Sequence, residues 1–477
     1  MHRYELLARE LRRQIESGRY APGERLPGTR SLARIHRLSI NTVLRAQQIL
    51  ESAGLIEAHP RSGFYVRTPT RPGSSTSPPR AQLPVQPTLV AKQRLVMELI
   101  QATRKPGMLP LGATLPASSF LPREEIRQTI SRCARRDPEL SVNYSFPPGN
   151  QVLRKSLAYY MNALDCRVGA DDIIVTSGCH EALQLALKAL TKPNDIVLIE
   201  SPSFYGLLQA VEALQLKALE IPCDAREGID IGAIDQACTR WDVKTCILVS
   251  NFSNPLGHCL SDDKKSQLLK VLARHRVPLI EDDVYGDIHF GLERPHPCKS
   301  FDEVGEVLYC SSFSKTLAPG MRIGWISPGR YYEQVSFLKF TQSLGAASLE
   351  QAALAQFLEQ GRYHRHIRRL RLRCAEQVEK TRALLLSLLP ENCVISGPGG
   401  GFVLWVELAP TFDCDLLYRR ALAENISIAP GSVFSTGEAY RHCFRLNCAL
   451  PWTAQYERAL RRLAQLIEDQ SQNQNSN

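Results

Sequence analysis

Apolar side chains recur at helical spacing along the first part of the chain. A helix is predicted over residues 4–17, and its apolar stripe consists of Leu6, Leu7, Leu11 and Ile15. A shorter helix is predicted over residues 30–36. A third helix has Ser39 as its N-cap, and its apolar face consists of Ile40, Val43, Ala46, Ile49 and Leu50. The segment LIEAHPRSGFYV then predicts two short strands around a turn, so the whole series is typical of a winged helix-turn-helix.

After residue 92 the pattern changes to short apolar runs that alternate with amphipathic segments. The runs predicted as buried strands are DIIVTSG, DIVLIE, TCILVSN, VPLIEDD and VLYCSSFSK. Helical segments such as HEALQLALKAL and DDKKSQLLKVLARH lie between them, which predicts an α/β domain with a mostly parallel sheet and helices on both faces. From about Glu350 a long basic helix, the strand-like GGGFVLWVEL and a terminal helix predict a smaller C-terminal α+β lobe.

Composition divides the chain into four parts. Residues 1–68 form the predicted winged helix-turn-helix, and residues 93–470 form the predicted α/β domain. Residues 69–92 are rich in proline, serine and threonine without apolar periodicity, which predicts a semi-extended linker. The polar residues 471–477 are predicted to be a disordered tail.

Positive charge is concentrated in the N-terminal part. Residues 1–67 contain twelve arginines, no lysine and six glutamates, a net charge of +6 out of +10 for the whole chain. An arginine-rich module without aspartate favours binding to double-stranded DNA. An ordinary solvated surface, or a winged helix that binds another protein, is the alternative.

The remaining composition limits the compartment and the metal chemistry. No run approaches the length of a membrane helix, and the first residues are charged, so we expect a cytoplasmic protein without a membrane partner. The fourteen cysteines form no CxxC pair, which favours reduced, mostly buried thiols. The histidines form no ligand cluster along the sequence, so no structural metal is expected.

The N-terminal part resembles the winged-helix domain of the GntR family. The residues that carry the resemblance are Pro22, Gly23, Leu26, Pro27, Arg30, Leu32, Ala33, Ser39, Asn41, Thr42, Val43, Leu50, Gly54, Leu55, Ile56 and Gly63. The resemblance implies a recognition helix in the major groove and phosphate or minor-groove contacts from the second helix and the wing. The implied DNA-binding residues are Arg30, Ser39, Asn41, Thr42, Arg45, Arg61 and Gly63. Leu44 departs from the family, whose members often carry a base-reading arginine there.

The stretch SSFSKTLAPGMRIGW, residues 311–325, carries the most specific chemistry. Lys315 follows an apolar strand, and a desolvated lysine amine loses its proton readily and can form a Schiff base with an aldehyde. Ser312 and Arg322 flank it, and both can bind a phosphate. A surface lysine and arginine without a shared role are the alternative.

Other motifs place groups that suit a flat, charged ring ligand. Gly178, Cys179 and His180 open a helix after a strand, which is an anion-binding arrangement. The remaining candidates are Phe204 for stacking, Asp282 for a ring nitrogen, Asn254 and Tyr285 for a phenolic oxygen, and Arg445 for a carboxylate. Each residue alone can be structural, as core, cap or turn; their joint occurrence favours a shared site.

In these motifs, residues 95–465 resemble the fold-type I aminotransferases of the aspartate and aromatic/aminoadipate kind. The resemblance implies pyridoxal 5'-phosphate as cofactor, covalently held by Lys315, with Asp282 at the pyridine nitrogen. It implies a phosphate site made of Gly178, Cys179, His180, Ser312 and Arg322. It also implies a substrate site at Arg445 and Asn254, catalytic roles for Lys315, Asp282 and Tyr285, and a Tyr144 that reaches the partner's phosphate in a dimer. Cys179 stands where serine or threonine is common.

The two resemblances together match the MocR group of bacterial regulators. They imply a homodimeric transcription factor that binds operator DNA and senses pyridoxal phosphate, an amino acid or an amine. A working aminotransferase with a DNA-tethering module is the rival hypothesis, and nothing in the sequence forbids transamination. A cofactor-binding protein without effector chemistry is a third, and it leaves Arg445 without a role.

Overall fold

The computed structural model describes residues 3–21, 23–52, 55–59, 62–66, 86–90, 93–102 and 105–475. The chain divides into two compact units. Residues 3–66 belong to the first unit, and nearly all described residues from 86 onward belong to the second.

The first unit consists of three helices followed by a two-stranded hairpin. Its elements are α1 (Arg3–Glu16), α2 (Thr29–Ile35), α3 (Ile40–Ser52), β1 (Ile56–His59) and β2 (Gly63–Val66). The two strands are antiparallel. As predicted, Ser39 caps α3, because its Oγ accepts a hydrogen bond of 3.1 Å from the backbone N–H of Thr42. The buried core consists of Leu7, Ala8, Leu11, Leu26, Leu32, Val43, Ala46, Leu50, Ile56 and Val66. The predicted winged helix-turn-helix is thus confirmed.

The second unit alternates strands and helices. Its strands are β3 (Thr88–Leu89), β4 (Leu109–Pro110), β5 (Ile174–Thr176), β6 (Ile196–Ser201), β7 (Lys217–Asp224), β8 (Gly228–Ile229), β9 (Val243–Leu248), β10 (Leu279–Asp282), β11 (Val307–Ser312), β12 (Gly324–Ser327), β13 (Val394–Ile395), β14 (Val403–Glu407), β15 (Ile426–Ser427), β16 (Ala429–Pro430) and β17 (Cys443–Asn447). Its helices are α4 (Gln93–Ala102), α5 (Arg123–Arg136), α6 (Gln151–Asn162), α7 (Cys179–Leu190), α8 (Tyr205–Ala213), α9 (Ile231–Arg240), α10 (Asp262–His275), α11 (Tyr332–Ser343), α12 (Ser348–Glu359), α13 (Arg362–Leu388), α14 (Cys414–Ala423) and α15 (Ala454–Asn475).

A large sheet forms the centre of the second unit, with the strand order β3-β7-β6-β9-β10-β11-β12-β5 and β8 paired to β7. The five strands from β7 to β11 in this order run parallel. Strand β12 is antiparallel to both of its neighbours. Apolar residues of α9 and α10, including Ile234, Leu268 and Leu272, are buried in one core with residues of these strands. The mostly parallel α/β sheet predicted from the apolar runs is confirmed.

The C-terminal lobe contains a four-stranded antiparallel sheet in the order β13-β14-β17-β16. Helix α14 contacts α15 beside this sheet, which agrees with the predicted α+β lobe. Helix α15 continues to Asn475, so the prediction of a disordered tail is wrong for residues 471–475. Ile467 and Gln470 are buried, and their packing stabilises the helix that continues into the polar segment.

Part of the predicted linker is also ordered. Thr88–Leu89 forms β3, which pairs antiparallel with β7 at the edge of the large sheet. Backbone pairing with an existing strand needs no apolar periodicity in the added segment, so composition did not predict it. Residues 67–85 and 91–92 of the linker region lie outside the described residues. Among the described residues, every helix is too short or too polar to cross a bilayer.

Candidate functional site

A cavity of about 360 Å³ lies in the second unit, at the carboxyl ends of the parallel strands. Ligands bind at this edge in open α/β sheets, because the loops that follow neighbouring strands converge there. The cavity brings together nine residues that the sequence predicted for one site: Cys179, His180, Phe204, Asn254, Asp282, Tyr285, Ser312, Lys315 and Arg322.

Lys315 provides a buried amine in this cavity. It follows β11, and its Nζ donates a hydrogen bond of 2.9 Å to the backbone oxygen of Thr114. Burial, followed by the positive charge of Arg445, lowers the pKa of Lys315 to about 8. A substantial fraction of the amine is therefore neutral near physiological pH, as a nucleophile requires.

Asp282 provides a buried carboxylate at the end of β10. Its Oδ1 accepts a hydrogen bond of 3.4 Å from the thiol of Cys179. Burial raises the pKa of Asp282 to about 7, and the charge of Asp283 adds to this effect. Such a carboxylate gains most from a cationic N–H donor, and a protonated pyridine nitrogen is a donor of this kind. The thiol of Cys179 faces the carboxylate of Asp282, and the sequence did not indicate this contact.

An anion-binding corner lies at the start of α7. Gly178 precedes the helix with φ of 89°, and a Cβ on it would lie 2.4 Å from Nη2 of Arg322. Arg322 donates a hydrogen bond of 2.9 Å to the backbone oxygen of Ser177. His180 and Ser312 line the same cavity. Free backbone N–H groups at a helix start, together with a guanidinium, suit a phosphate group.

An aromatic side chain forms another part of the lining. Phe204 precedes α8, and a Cβ on Gly206 would lie 2.5 Å from Cε1 of the Phe204 ring. The absence of a side chain at position 206 thus leaves room for the ring. Tyr205 packs beside it at 4.8 Å between ring centroids. A ring in this position can stack on a flat heteroaromatic ligand.

Asn254, Tyr285 and Arg445 form a buried polar chain. Nδ2 of Asn254 donates a hydrogen bond of 3.4 Å to the hydroxyl of Tyr285, whose pKa burial raises. Nη1 of Arg445 donates a hydrogen bond of 2.9 Å to Oδ1 of Asn254, and Nη2 donates to the backbone oxygen of Gly112. Arg445 is fully buried and lies behind two lining residues, Asn254 and Gly112, rather than in the lining itself. Its Nε has no hydrogen-bond partner among the described residues.

Among the lining residues that the sequence pattern did not indicate, Thr114 and Tyr205 lie close to predicted site residues. Thr114 accepts from Lys315 with a backbone oxygen, so its side-chain type carries no signal. Tyr205 lines the cavity and its ring lies 5.8 Å from the guanidinium of Arg445. Its position next to Phe204 in the SFYG motif was the available signal.

Tyr144 lies away from the cavity lining. Its side chain is 72% exposed, and its ring packs on Phe146 at 5.5 Å between centroids. Phe146 in turn lies 6.2 Å from the ring of Phe340. These rings form an exposed aromatic patch on the second unit.

The predicted DNA-binding residues of the first unit lie on accessible surface. Arg30, Ser39, Asn41 and Arg45 are exposed, and Thr42 is half-buried. The guanidinium of Arg45 lies 4.6 Å from the ring centroid of Tyr4. Arg61 lies outside the described residues.

The wing has a further arginine that the sequence analysis did not select. The guanidinium of Arg25 lies beside Gly63, within 4 Å of the position that a Cβ would take there. The backbone of Arg25 also forms an isolated antiparallel β-bridge with Tyr65 of the hairpin. Arg25 lies before α2 along the chain, so its position in the sequence did not indicate that it is close to the wing.

Comparison with known proteins identifies relatives of both units. Residues 113–463 match the family of aminotransferases of class I and II, and residues 3–66 match the bacterial regulatory proteins of the gntR family. The HTH-type transcriptional regulator YdcR of Escherichia coli (strain K12) is 39% identical over 470 residues, which cover 98% of this chain and 100% of the relative. The HTH-type transcriptional regulator NorG of Staphylococcus aureus (strain USA300) is 25% identical over 416 residues, covering 87% and 93%.

Solved structures share the fold of the second unit. The multiple substrate aminotransferase of Thermococcus profundus has a TM-score of 0.75 and 26% identity, covering 80% of this chain and 96% of its own. Another is LysN, the alpha-aminoadipate aminotransferase of Thermus thermophilus, complexed with N-(5'-phosphopyridoxyl)-L-leucine. It has a TM-score of 0.73 and 25% identity, covering 82% of this chain and 96% of its own.

Proposed function

The chain belongs to the aminotransferase class I and II family and carries a gntR-family regulatory domain, and from this premise we propose that it is a transcription factor controlled by a small amino compound. Residues 1–68 would bind operator DNA, residues 69–92 would link the two parts, and residues 93–470 would bind pyridoxal phosphate and the effector. The nearly full-length similarity to the regulator YdcR supports this division.

The cavity fits pyridoxal phosphate, and this fit is the observation that carries the proposal. A buried amine, a buried carboxylate and an anion-binding corner line one cavity, and Gly178 and Gly206 leave space that a Cβ would fill. The cofactor supplies an aldehyde and an electron-withdrawing ring. The residues that would hold it are Lys315, Asp282, Tyr285, Asn254, Phe204, Gly178, Cys179, His180, Ser312 and Arg322.

Each residue has a distinct task in effector binding. Lys315 would hold the cofactor covalently through its amine, which burial favours in the neutral form. Asp282 would keep the ring nitrogen protonated, and Asn254 and Tyr285 would orient the phenolic oxygen. Arg445 would pair with an effector carboxylate through Nε, which has no hydrogen-bond partner among the described residues, and the neighbouring Nη2.

Regulation requires that the effector bind two conformational states with different affinities. We infer that the protein is a cytoplasmic homodimer and that the effector shifts its equilibrium between such states. The exposed aromatic patch of Tyr144, Phe146 and Phe340 supports a dimer interface, because large exposed apolar surfaces mark interaction sites. In that dimer Tyr144 would contact the cofactor phosphate in the partner.

Transamination is the second candidate function. The observation that favours it is the combination of Lys315, Asp282 and Arg445 in and behind one cavity, since transamination uses a lysine amine, a carboxylate at the ring nitrogen and a cation for the substrate carboxylate.

One titration separates the two candidates. The full-length protein is mixed with a panel of amino acids and amines, and three quantities are recorded: the visible absorption shift, keto-acid release and affinity for operator DNA. Regulation predicts a ligand that changes both the absorption and the DNA affinity. Robust keto-acid release with a DNA affinity that no ligand changes would establish the enzyme instead.

A further inference from the structure

Three side chains with metal-binding atoms meet outside the cavity. Glu200 lies on β6, Cys223 lies on the neighbouring β7, and His258 lies in the loop after β9. A carboxylate oxygen, the thiol sulfur and an imidazole nitrogen all lie within 4.8 Å of one another. The distance from Oε2 of Glu200 to Nε2 of His258 is 3.8 Å. Because β6 pairs with both β7 and β9, the large sheet itself brings these residues together.

Three polar atoms of this cluster have no hydrogen-bond partner among the described residues. Glu200 is 1% exposed and His258 is 3% exposed. Within the described part of the chain, neither carboxylate oxygen of Glu200 nor Nε2 of His258 has a hydrogen-bond partner. Buried polar atoms are almost always paired in folded proteins, so three unpaired atoms beside a thiol indicate that a partner is missing.

We propose that Glu200, Cys223 and His258 together bind one zinc ion. Zinc accepts nitrogen, sulfur and oxygen ligands at about 2.0–2.3 Å in tetrahedral geometry, which separates ligand atoms by about 3.3–3.7 Å. The observed 3.8 Å between the oxygen of Glu200 and the nitrogen of His258 needs to close only slightly. A thiolate and an imidazole disfavour magnesium and calcium, which prefer oxygen ligands. Three protein ligands leave the fourth position for water.

Burial of the cluster disfavours a lone charge on each of its three side chains. It lowers the pKa of His258 to about 4, and it raises the pKa of the Cys223 thiol and of Glu200. A bound zinc ion would compensate the negative charges of the carboxylate and the thiolate in this buried position.

A second residue orients the imidazole. Nδ1 of His258 lies 2.6 Å from Oγ of Ser253, and the backbone N–H of Ser253 donates to the backbone oxygen of His258 at 2.9 Å. An outer hydrogen bond of this kind fixes the ring so that Nε2 points at the metal. Asn254, which lines the cofactor cavity, lies in the same tight loop. A metal at His258 would therefore stabilise the loop that positions Asn254.

The test measures metal content and cobalt absorption of the full-length, tag-free protein with its cofactor. After growth with zinc and gel filtration, we expect about one zinc per chain by elemental mass spectrometry. Metal-stripped protein treated with cobalt(II) should show the intense visible bands of tetrahedral cobalt with a thiolate ligand. These bands lie apart from the cofactor absorption and do not depend on DNA binding or on turnover.

Variants assign the metal to the cluster. Cys223→Ser and His258→Gln should each lose the zinc and the cobalt bands. Cys393→Ser changes another half-buried cysteine, outside the cluster, and should retain both. Circular dichroism and the cofactor absorption identify any variant that fails to fold. If both variants fail to fold, the cobalt bands of the unmutated protein test the proposal. Absence of these bands with excess cobalt, or a folded Cys223→Ser variant that keeps them, would overturn the proposal.

Discussion

The guanidinium of Arg445 donates a hydrogen bond of 2.9 Å to the side-chain oxygen of Asn254, although the two residues are 191 positions apart. Asn254 lines the cavity, whereas Arg445 lies behind it and is fully buried. The amide of Asn254 thus occupies one edge of a cation whose Nε is unpaired among the described residues. The proposed effector carboxylate would complete the hydrogen bonding of this guanidinium, and the proposed role of Arg445 in effector recognition rests on this contact.

Replacement of Arg445 should abolish the response to carboxylated effectors. Loss of a bidentate charged pair lowers affinity by roughly a hundredfold, so Arg445→Ala should no longer change its DNA affinity when the amino acid is added. Basal DNA affinity and cofactor attachment should remain. Arg445→Lys is the matched control, since it keeps the charge without the bidentate geometry, and its response should be intermediate. An unaltered response of Arg445→Ala to carboxylated ligands would contradict this role.

Replacement of Lys315 should remove covalent cofactor attachment. The protein as purified is expected to be yellow, and Lys315→Ala should lose the visible band because its side chain has no amine. Borohydride reduction followed by peptide mass spectrometry should place a pyridoxyl group on the peptide that contains Lys315. Lys315→Arg keeps the charge and should behave like the alanine variant. A band that persists in Lys315→Ala after exhaustive dialysis would show that another residue holds the cofactor.

The rate of cofactor attachment should depend on pH, and the midpoint of this dependence should lie below the usual pKa of a lysine. The amine must be neutral to react, and burial lowers the pKa of Lys315 from its usual 10.5 to about 8. The rate should therefore rise as the pH increases through about 8 and level off above it. Cofactor-stripped protein is mixed with pyridoxal phosphate at a series of pH values, and the appearance of the visible band is followed. A midpoint near that of free lysine would mean that this amine is exposed to water.

A methyl group at position 206 should weaken cofactor retention. The Cβ of Gly206→Ala would meet the ring of Phe204 at 2.5 Å and displace it from the stacking position. Lost stacking of this size raises the dissociation constant about tenfold. Retention is measured by dilution and dialysis of the loaded protein. Gly437→Ala is the control, because its Cβ would meet no atom within 4 Å, and its retention should be unchanged.

DNA binding by the full-length protein should depend on Arg30 and Asn41 in different ways. Arg30→Ala should weaken binding to all sequences and reduce the salt dependence by about one counterion. Asn41→Ala should instead relax preference at particular base pairs, a loss of about 1–3 kcal/mol there. Fluorescence anisotropy over a salt series and an operator library measures both effects.

The matched control for these variants is Arg136→Ala, which removes an exposed arginine of α5 in the second unit and should leave DNA binding unchanged. Specific DNA binding by a chain that lacks its first 70 residues would contradict the assignment of DNA recognition to the N-terminal unit.

Residue type and spacing along the chain predicted the main helices and strands and nine residues that line one cavity. Helix α10 spans Asp262–His275, the same residues as the predicted amphipathic segment, because helical periodicity and a serine cap are local properties. The order of the motifs around Lys315 and Asp282 indicated one cofactor site. These signals depend on residue type and on spacing over a few residues, so they can be recognised in the sequence.

Contacts between residues far apart along the chain became visible only in the folded structure. The backbone oxygen of Thr114 accepts from Lys315, 201 positions away, and a backbone atom leaves no trace in residue type. Strand order brings Glu200, Cys223 and His258 together, although the sequence predicted no metal site. It also places Arg445 behind Asn254 rather than in the cavity lining. Such contacts depend on how strands pair across the sheet, and periodicity within one segment contains no information about its partners.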